Sequence, residues 1–168
     1  TRPQISTCDR RHESSEALMT RPTYGVSMED RVIIEVEPES LEPNLLREKL
    51  GVSGSGAVVS FTGLTRGDEE GIKVHSLEFD AWEERLPIVL EELAKESIEK
   101  FGVEYVAISH RIGKVKPEEP IVAIHVSSKH RKEAFEACSW LIDSLKAQAP
   151  LWKKEVREDG THWKEGLG

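Results

Sequence analysis

Cysteine is nearly absent from this chain. Cys8 and Cys138 are the only two in 168 residues, and they have neither CxxC spacing nor the number that a disulfide framework needs. This suits a reducing compartment and argues against a zinc site. The six histidines do not restore a metal reading, because His12, His75, His110, His125, His130 and His162 are scattered without a metal-ligand spacing. No metal and no cofactor are expected. Long apolar runs are missing as well: stretches such as Ala57-Val58-Val59 and Pro120-Ile121-Val122-Ala123-Ile124 fall far short of the roughly 20 residues that span a bilayer. No charged-then-apolar signal segment opens the sequence, so a cytoplasmic protein without membrane attachment is expected. Aromatic residues make up only 6% of the chain and its pI is about 5.3. That balance excludes a general nucleic-acid binder, whose affinity depends on a net basic surface. GVSGSG at 51–56 precedes a strand-like run and matches neither GxGxxG after a strand nor GxxxxGK[ST], so nucleotide binding is unsupported.

Against a formal net charge of -8, the segment SSKHRKEAFEACSWLIDSLKAQAPLWKKEVR (127–157) is a basic island. It carries seven cations (Lys129, Arg131, Lys132, Lys146, Lys153, Lys154 and Arg157) and four carboxylates (Glu133, Glu136, Asp143 and Glu155). A local field of one sign that lines a cleft attracts an anionic ligand or the acidic tail of a partner. Function is therefore expected here.

The length suits one domain with a real core. Residues 1–29 lack sustained apolar periodicity and are rich in Ser, Thr, Arg and Pro, which predicts a flexible extension ahead of a domain over 30–168. RVIIEVE alternates as a strand, and SLEPNLLREKLG reads as a short helix with Ser40 as N-cap and Gly51 as C-cap. GAVVSFTGLT (56–65) and KVHSLEFDA (73–81) are β-rich, with RGDEEG between them as a hairpin loop. From about Asp80 to Phe101 the apolar residues fall at helical spacing, with Pro87 early and Gly102 as the stop. VEYVAISHRIG and PIVAIHVSS are two more strands. A helix then runs from about Lys129 to Ala149, ended by Pro150, and LWKKEVRED is a short strand. This order predicts an α+β domain with helices packed on a largely antiparallel sheet.

On the last helix Phe135, Cys138, Ile142, Leu145 and Ala149 form one apolar stripe, and Lys146 projects beside it at a rim. The bland alternative is a lysine whose stem merely packs on a core helix. If the following strand alternates, Leu151, Lys153 and Glu155 lie on one side and Trp152, Lys154 and Val156 on the other, so only one of Lys153 and Lys154 points into a given cleft. The competing reading is an exposed basic edge that discourages aggregation. His130 and Arg131 sit where a strand meets a helix N-terminus, a place suited to phosphate. Arg66, in a loop after a strand, offers a bidentate fork for the same group, or is an exposed loop arginine. Cys138 lies in the apolar stripe, where a thiol behaves as a small hydrophobe.

The segments GAVVSFTGLTR, LEFDAWEE, HRIGKV, SSKHRKEAFEAC and LIDSLKAQAPLWKKE, in this order and spacing, closely resemble the large, catalytic subunit of molybdopterin synthase, from about Arg31 to Trp163. The resemblance implies an α/β-hammerhead-like fold and a sulfur transferase of molybdenum cofactor biosynthesis. Its substrate would be cyclic pyranopterin monophosphate, converted to molybdopterin by two added sulfurs. Sulfur would arrive as a thiocarboxylate on the C-terminal glycine of a small ubiquitin-like subunit. The assembly implied is a heterotetramer, a central dimer of large subunits with a small subunit on each outer end. Carried over by position, Arg66, His130 and Arg131 resemble the residues that hold the precursor, with Leu64 and Thr65 as adjoining contacts. Lys146 matches the lysine near the tail and Lys153 the principal catalytic lysine, while Lys154 and Glu155 complete the matched binding segment. The acidic RGDEEG loop bears on precursor access. A binding module that only captures a phosphorylated metabolite or an acidic tail is the alternative; it needs positive charge but no turnover through Lys153.

Overall fold

The computed structural model describes residues 25–164, so the flexible extension expected over residues 1–29 lies, for residues 1–24, outside the described residues. Ordered packing begins by Met28, which lies against the main core. Nine strands and three α-helices follow among the described residues: β1 (Val32–Glu37), α1 (Pro43–Lys49), β2 (Ala57–Leu64), β3 (Asp68–Glu69), β4 (Ile72–Ala81), α2 (Leu86–Phe101), β5 (Tyr105–Arg111), β6 (Gly113–Val115), β7 (Pro120–Ser128), α3 (Arg131–Gln148), β8 (Leu151–Arg157) and β9 (Gly160–Lys164). The class is α+β, as the sequence predicts, with strands in two sheets.

The first sheet has the order β1-β5-β7-β2, antiparallel except for the β1–β5 pair. One face meets α2 and α3 through Val106, Ile108, Val122, Ile124 and Val126. The other carries Ala107 and Ala123, small enough for Leu46 and Leu50 of the α1 region to close down on them. Both faces of β5 and β7 are covered, which is why these strands read as nearly continuous apolar runs. His125 fastens α1 to the sheet: its Nε2–H donates to the Pro43 carbonyl at 2.9 Å while Nδ1 accepts from Ser60 Oγ at 2.7 Å.

The second sheet has the order β3-β4-β8-β9, with β6 also paired to β4. The acidic RGDEEG run does not join 56–65 to 73–81 as a hairpin. Instead β2 stays in the first sheet, and a tight turn at Glu70-Gly71, both with positive φ, folds β3 back on β4. The strand β4 absorbs Asp80, so α2 starts at Leu86, with Pro87 in its first turn and Gly102 in the left-handed conformation as its C-cap.

Other expectations are corrected. The N-cap of α1 is Glu42, because Pro43 starts the helix and leaves Ser40 outside it; its C-cap is Leu50. Gly51 is needed instead for packing, since a Cβ there would lie 2.5 Å from the Tyr105 ring. Phe135 is 61% exposed rather than part of the buried stripe of α3, which is built on Ala134, Ala137, Cys138, Leu141 and Leu145. Alanines hold that face because α2 and β7 both approach it closely.

Candidate active site

Pro150 breaks α3 and turns the chain straight into β8, with the Trp82 N–H held by the Pro150 carbonyl at 3.1 Å. Lys146 on the last turn of the helix and Lys153 on the strand thereby face one cavity of about 470 Å³. Its opposite wall is the end of β2 and the loop beyond it, Gly63 to Arg66, together with Glu69. A register shift at Gly63–Leu64 kinks this rim, and Gly63 has no room for a side chain because a Cβ would meet Val122 Cγ1 at 2.7 Å. Thr65 is buried and its N–H donates to the Glu119 carbonyl, fixing the loop from which the 75% exposed Arg66 side chain projects.

Alternation holds along β8. Leu151 is buried and Trp152 half exposed, and Lys153, Glu155 and Arg157 share the cavity side. Glu155 is the centre of the charge arrangement. Its side chain is only 3% exposed and lies 3.3 Å from Lys153, 2.6 Å from Arg157 and 3.4 Å from Lys164. Burial by itself pushes this carboxyl up, yet the Arg157 hydrogen bond and the charges of Lys153 and Lys164 pull it below its ordinary range. Lys154 points away: it pairs with Glu78 and lies 5.5 Å from the Trp163 ring centre, outside the cavity lining.

Four cations, Arg66, Lys146, Lys153 and Lys164, line the cavity against two carboxylates, Glu69 and Glu155. The cavity is therefore a net cationic site. Lys146 has no ion-pair partner among the described residues, so its ammonium is available to a ligand. Sequence reasoning missed Lys164 and Glu69. The signal for Lys164 was Asp159-Gly160 followed by the alternating Thr161 to Lys164, a hairpin turn and return strand that sets Lys164 directly opposite Lys153.

His130 and Arg131 are not brought to this cavity. They start α3 while Lys146 is on its last turn, and fifteen residues at about 1.5 Å each separate the two ends by about 22 Å. His130 is the N-cap without a side-chain capping bond. Cys138 takes no part in the cavity lining, and burial pushes its thiol up to about 11. Behind Lys146 a small second cavity is lined by Phe79 and the buried His110. The His110 Nδ1–H donates to the Arg111 carbonyl at 2.6 Å, and burial lowers its pKa to about 4, leaving the ring neutral.

A family model described as MoaE protein matches residues 36–148. A molybdopterin synthase catalytic subunit of Pyrococcus abyssi is 35% identical over 136 residues, covering 81% of this chain and 92% of the relative. The human molybdopterin synthase catalytic subunit is 40% identical over 143 residues, covering 77% of this chain and 74% of the relative. The crystal structure of molybdopterin synthase from Staphylococcus aureus superposes with a TM-score of 0.74 at 36% identity, covering 78% of this chain and 96% of that chain. With the family model spanning two thirds of its length and its fold shared with a solved synthase, the chain belongs to the MoaE family of molybdopterin synthase catalytic subunits.

Proposed function

We propose that the cavity between α3, β8 and the loop after β2 is where cyclic pyranopterin monophosphate receives sulfur to become molybdopterin, with Lys153 as the catalytic residue. The observation that carries this assignment is the convergence of Lys146 and Lys153, from two elements joined by Pro150, on one cationic cavity of about 470 Å³. The enzyme class follows from the family; the division of labour proposed is the one the resemblance implies, and the placement of Arg66, Lys146 and Lys153 around the cavity supports it. Arg66, exposed at the rim, takes the substrate phosphate as a bidentate fork, with Leu64 and Thr65 as neighbouring walls. A small ubiquitin-like subunit threads its C-terminal thiocarboxylate toward Lys146, whose unpaired ammonium orients that anion.

The thiocarboxylate sulfur forms a bond to a side-chain carbon of the pterin as the carbon–oxygen bond breaks, and Lys153 gives a proton to the departing oxygen. Water then cleaves the acyl–sulfur bond, returning the tail as a carboxylate and leaving a thiolate on the pterin; a second thiocarboxylated tail repeats the step at the neighbouring carbon to complete the dithiolene. Glu155 at 3.3 Å holds the Lys153 side chain toward the cavity. Lys154, directed to Glu78, supports β8 against β4 rather than touching substrate.

His130 and Arg131 enter the same reading through assembly. About 22 Å of helix keeps them from the cavity of their own chain, so in a central dimer each chain supplies this pair to the cavity of the other. The small subunits sit at the outer ends of the resulting heterotetramer. Residues 30–168 form the catalytic domain, and the reaction takes place in the cytoplasm. Among the described residues no helix is long and apolar enough to cross a membrane.

The test mixes the purified chain, cyclic pyranopterin monophosphate and thiocarboxylated small subunit, and measures dithiolene product. Lys153→Ala is expected to lower turnover by about 100-fold or more, the scale of a lost general acid. Binding without product in the native mixture overturns the assignment, and unchanged turnover in the variant overturns the role of Lys153.

A further inference from the structure

The side of the cavity away from α3 holds a charge chain whose middle links, Glu69 and Lys164, sulfur transfer as described does not use. Arg66 Nη2 lies 3.0 Å from Glu69 Oε2. The other oxygen of that carboxylate, Oε1, accepts from Lys164 Nζ at 2.7 Å, and Lys164 is also 3.4 Å from Glu155. The partners of Glu69 are unequal. The Arg66 side chain is 75% exposed, whereas that of Glu69 is 16% exposed and that of Lys164 is 32% exposed. The carboxylate is thus anchored on the β9 side and reaches the loop arginine with its free oxygen.

We propose that Glu69 is a built-in stand-in for the substrate phosphate: it occupies Arg66 in the empty site and yields the guanidinium to an incoming phosphate, while Lys164 retains the displaced carboxylate. Lys164 is a positioning residue in this exchange, acting through Glu69. The inference rests on the reading of Arg66 as a phosphate ligand and adds a competitor to it. An exposed arginine–carboxylate pair contributes only about 0–1 kcal/mol, so the exchange has a low cost. The phosphate of the cyclic precursor is a diester with one negative charge and two free oxygens, so it offers the guanidinium the same bidentate fork as the carboxylate it replaces. Any anion that takes Arg66 must first displace Glu69, so the competitor lowers the apparent affinity of every such ligand by the same factor. The Lys164 hydrogen bond holds the Glu69 carboxyl below its ordinary range, which keeps the competitor charged at neutral pH.

Titration calorimetry of the full chain with inorganic phosphate, and separately with acetate, tests the exchange on native protein, Glu69→Gln, Lys164→Met and the double variant, each first checked for a cooperative thermal transition. Glu69→Gln is expected to tighten phosphate and acetate binding alike, by about twofold to fivefold, the scale of one surface ion pair. Lys164→Met, which frees Glu69 to pair more fully with Arg66, should weaken phosphate by a similar factor. The double variant should return to the affinity of Glu69→Gln. A double variant as weak as Lys164→Met means that Lys164 binds phosphate directly and overturns the proposal, as does phosphate affinity unmoved by Glu69→Gln. Lys164→Arg, which keeps the bridging charge, guards against a Met variant that does not fold: affinity falling with Arg in place overturns the bridge. In the turnover assay the effect of Glu69→Gln falls on KM for the pterin rather than on kcat. Native protein that makes no dithiolene product overturns the proposed function and leaves phosphate titration to decide this inference; native turnover with unmoved phosphate affinity overturns the inference alone.

Discussion

The two sheets of this molecule are held by different physics. The first, β1-β5-β7-β2, is packed on both faces by apolar side chains, and its buried histidines are neutral groups bonded to nearby main-chain oxygens. The second, β3-β4-β8-β9, has on its cavity side a carboxylate buried among three cations. An apolar face fixes position through shape, whereas a charged face stays charged only while every member keeps its partner. The first sheet therefore supplies an apolar frame and the second supplies most of the charged lining of the cavity, with α3 and Pro150 joining them. The difference teaches where substitution should be silent for chemistry and where it should not.

The largest way to break that contrast is Glu155→Gln. Removing the central anion leaves Lys153 and Arg157 without compensation and Lys164 with Glu69 alone, an expected loss of about 3 kcal/mol in denaturant unfolding, with turnover lowered because Lys153 loses its support. Full stability in this variant would show that apolar packing holds both sheets alike.

Acid sharpens the comparison because each sheet has its own window. The folded His110 pKa lies near 4, against an ordinary value of 6.5. Its contribution is therefore fully present above about pH 6.5 and is lost as pH falls toward 4, where the unfolded chain takes up a proton that the folded chain refuses; protonation would also meet the Lys146 charge across the small cavity. That loss is about 3 kcal/mol. Glu69 and Glu155 have folded pKa values below the ordinary 4.5. Their contribution is present above about pH 4.5 and is lost below it. Thermal unfolding against pH should show both segments, with His110→Gln flattening the upper one and Glu155→Gln the lower one. A single transition moved equally by both variants would refute the separation.

The smallest expected effect is that of Lys154→Ala, within about 1 kcal/mol in stability and without the collapse of turnover predicted for Lys153→Ala. A loss of turnover equal to that of Lys153→Ala would remove the distinction between the two sides of β8.

Much of the frame was legible because period-2 and period-3.6 patterns report burial directly: β5, β7 and α2 fall where their apolar residues place them. The face of α3 was read less well, since Phe135 dominates any hydrophobic pattern yet is exposed, while the alanines that meet α2 look indifferent in sequence. At the site, alternation was enough to put Lys153 and Lys154 on opposite sides of β8, but the choice of Lys153 came from the resemblance, which also kept Lys154 in the binding segment. The roles of Glu69 and Lys164 were not legible, because they depend on β3 and β9 meeting across β4 and β8, and sheet order is a property of long-range pairing that no local window carries.

The β4–β8 pairing also has a consequence in time. Leu77 pairs with Glu155, 78 residues further along the chain, so during synthesis at about 5–20 residues per second that edge of β4 waits roughly 4–16 s for its partner. The chain thus meets the ribosome's exit with its apolar frame already able to assemble and with no cationic cavity to offer. An unfinished copy has no such cavity, because the strand that closes the sheet is the strand that brings Lys153.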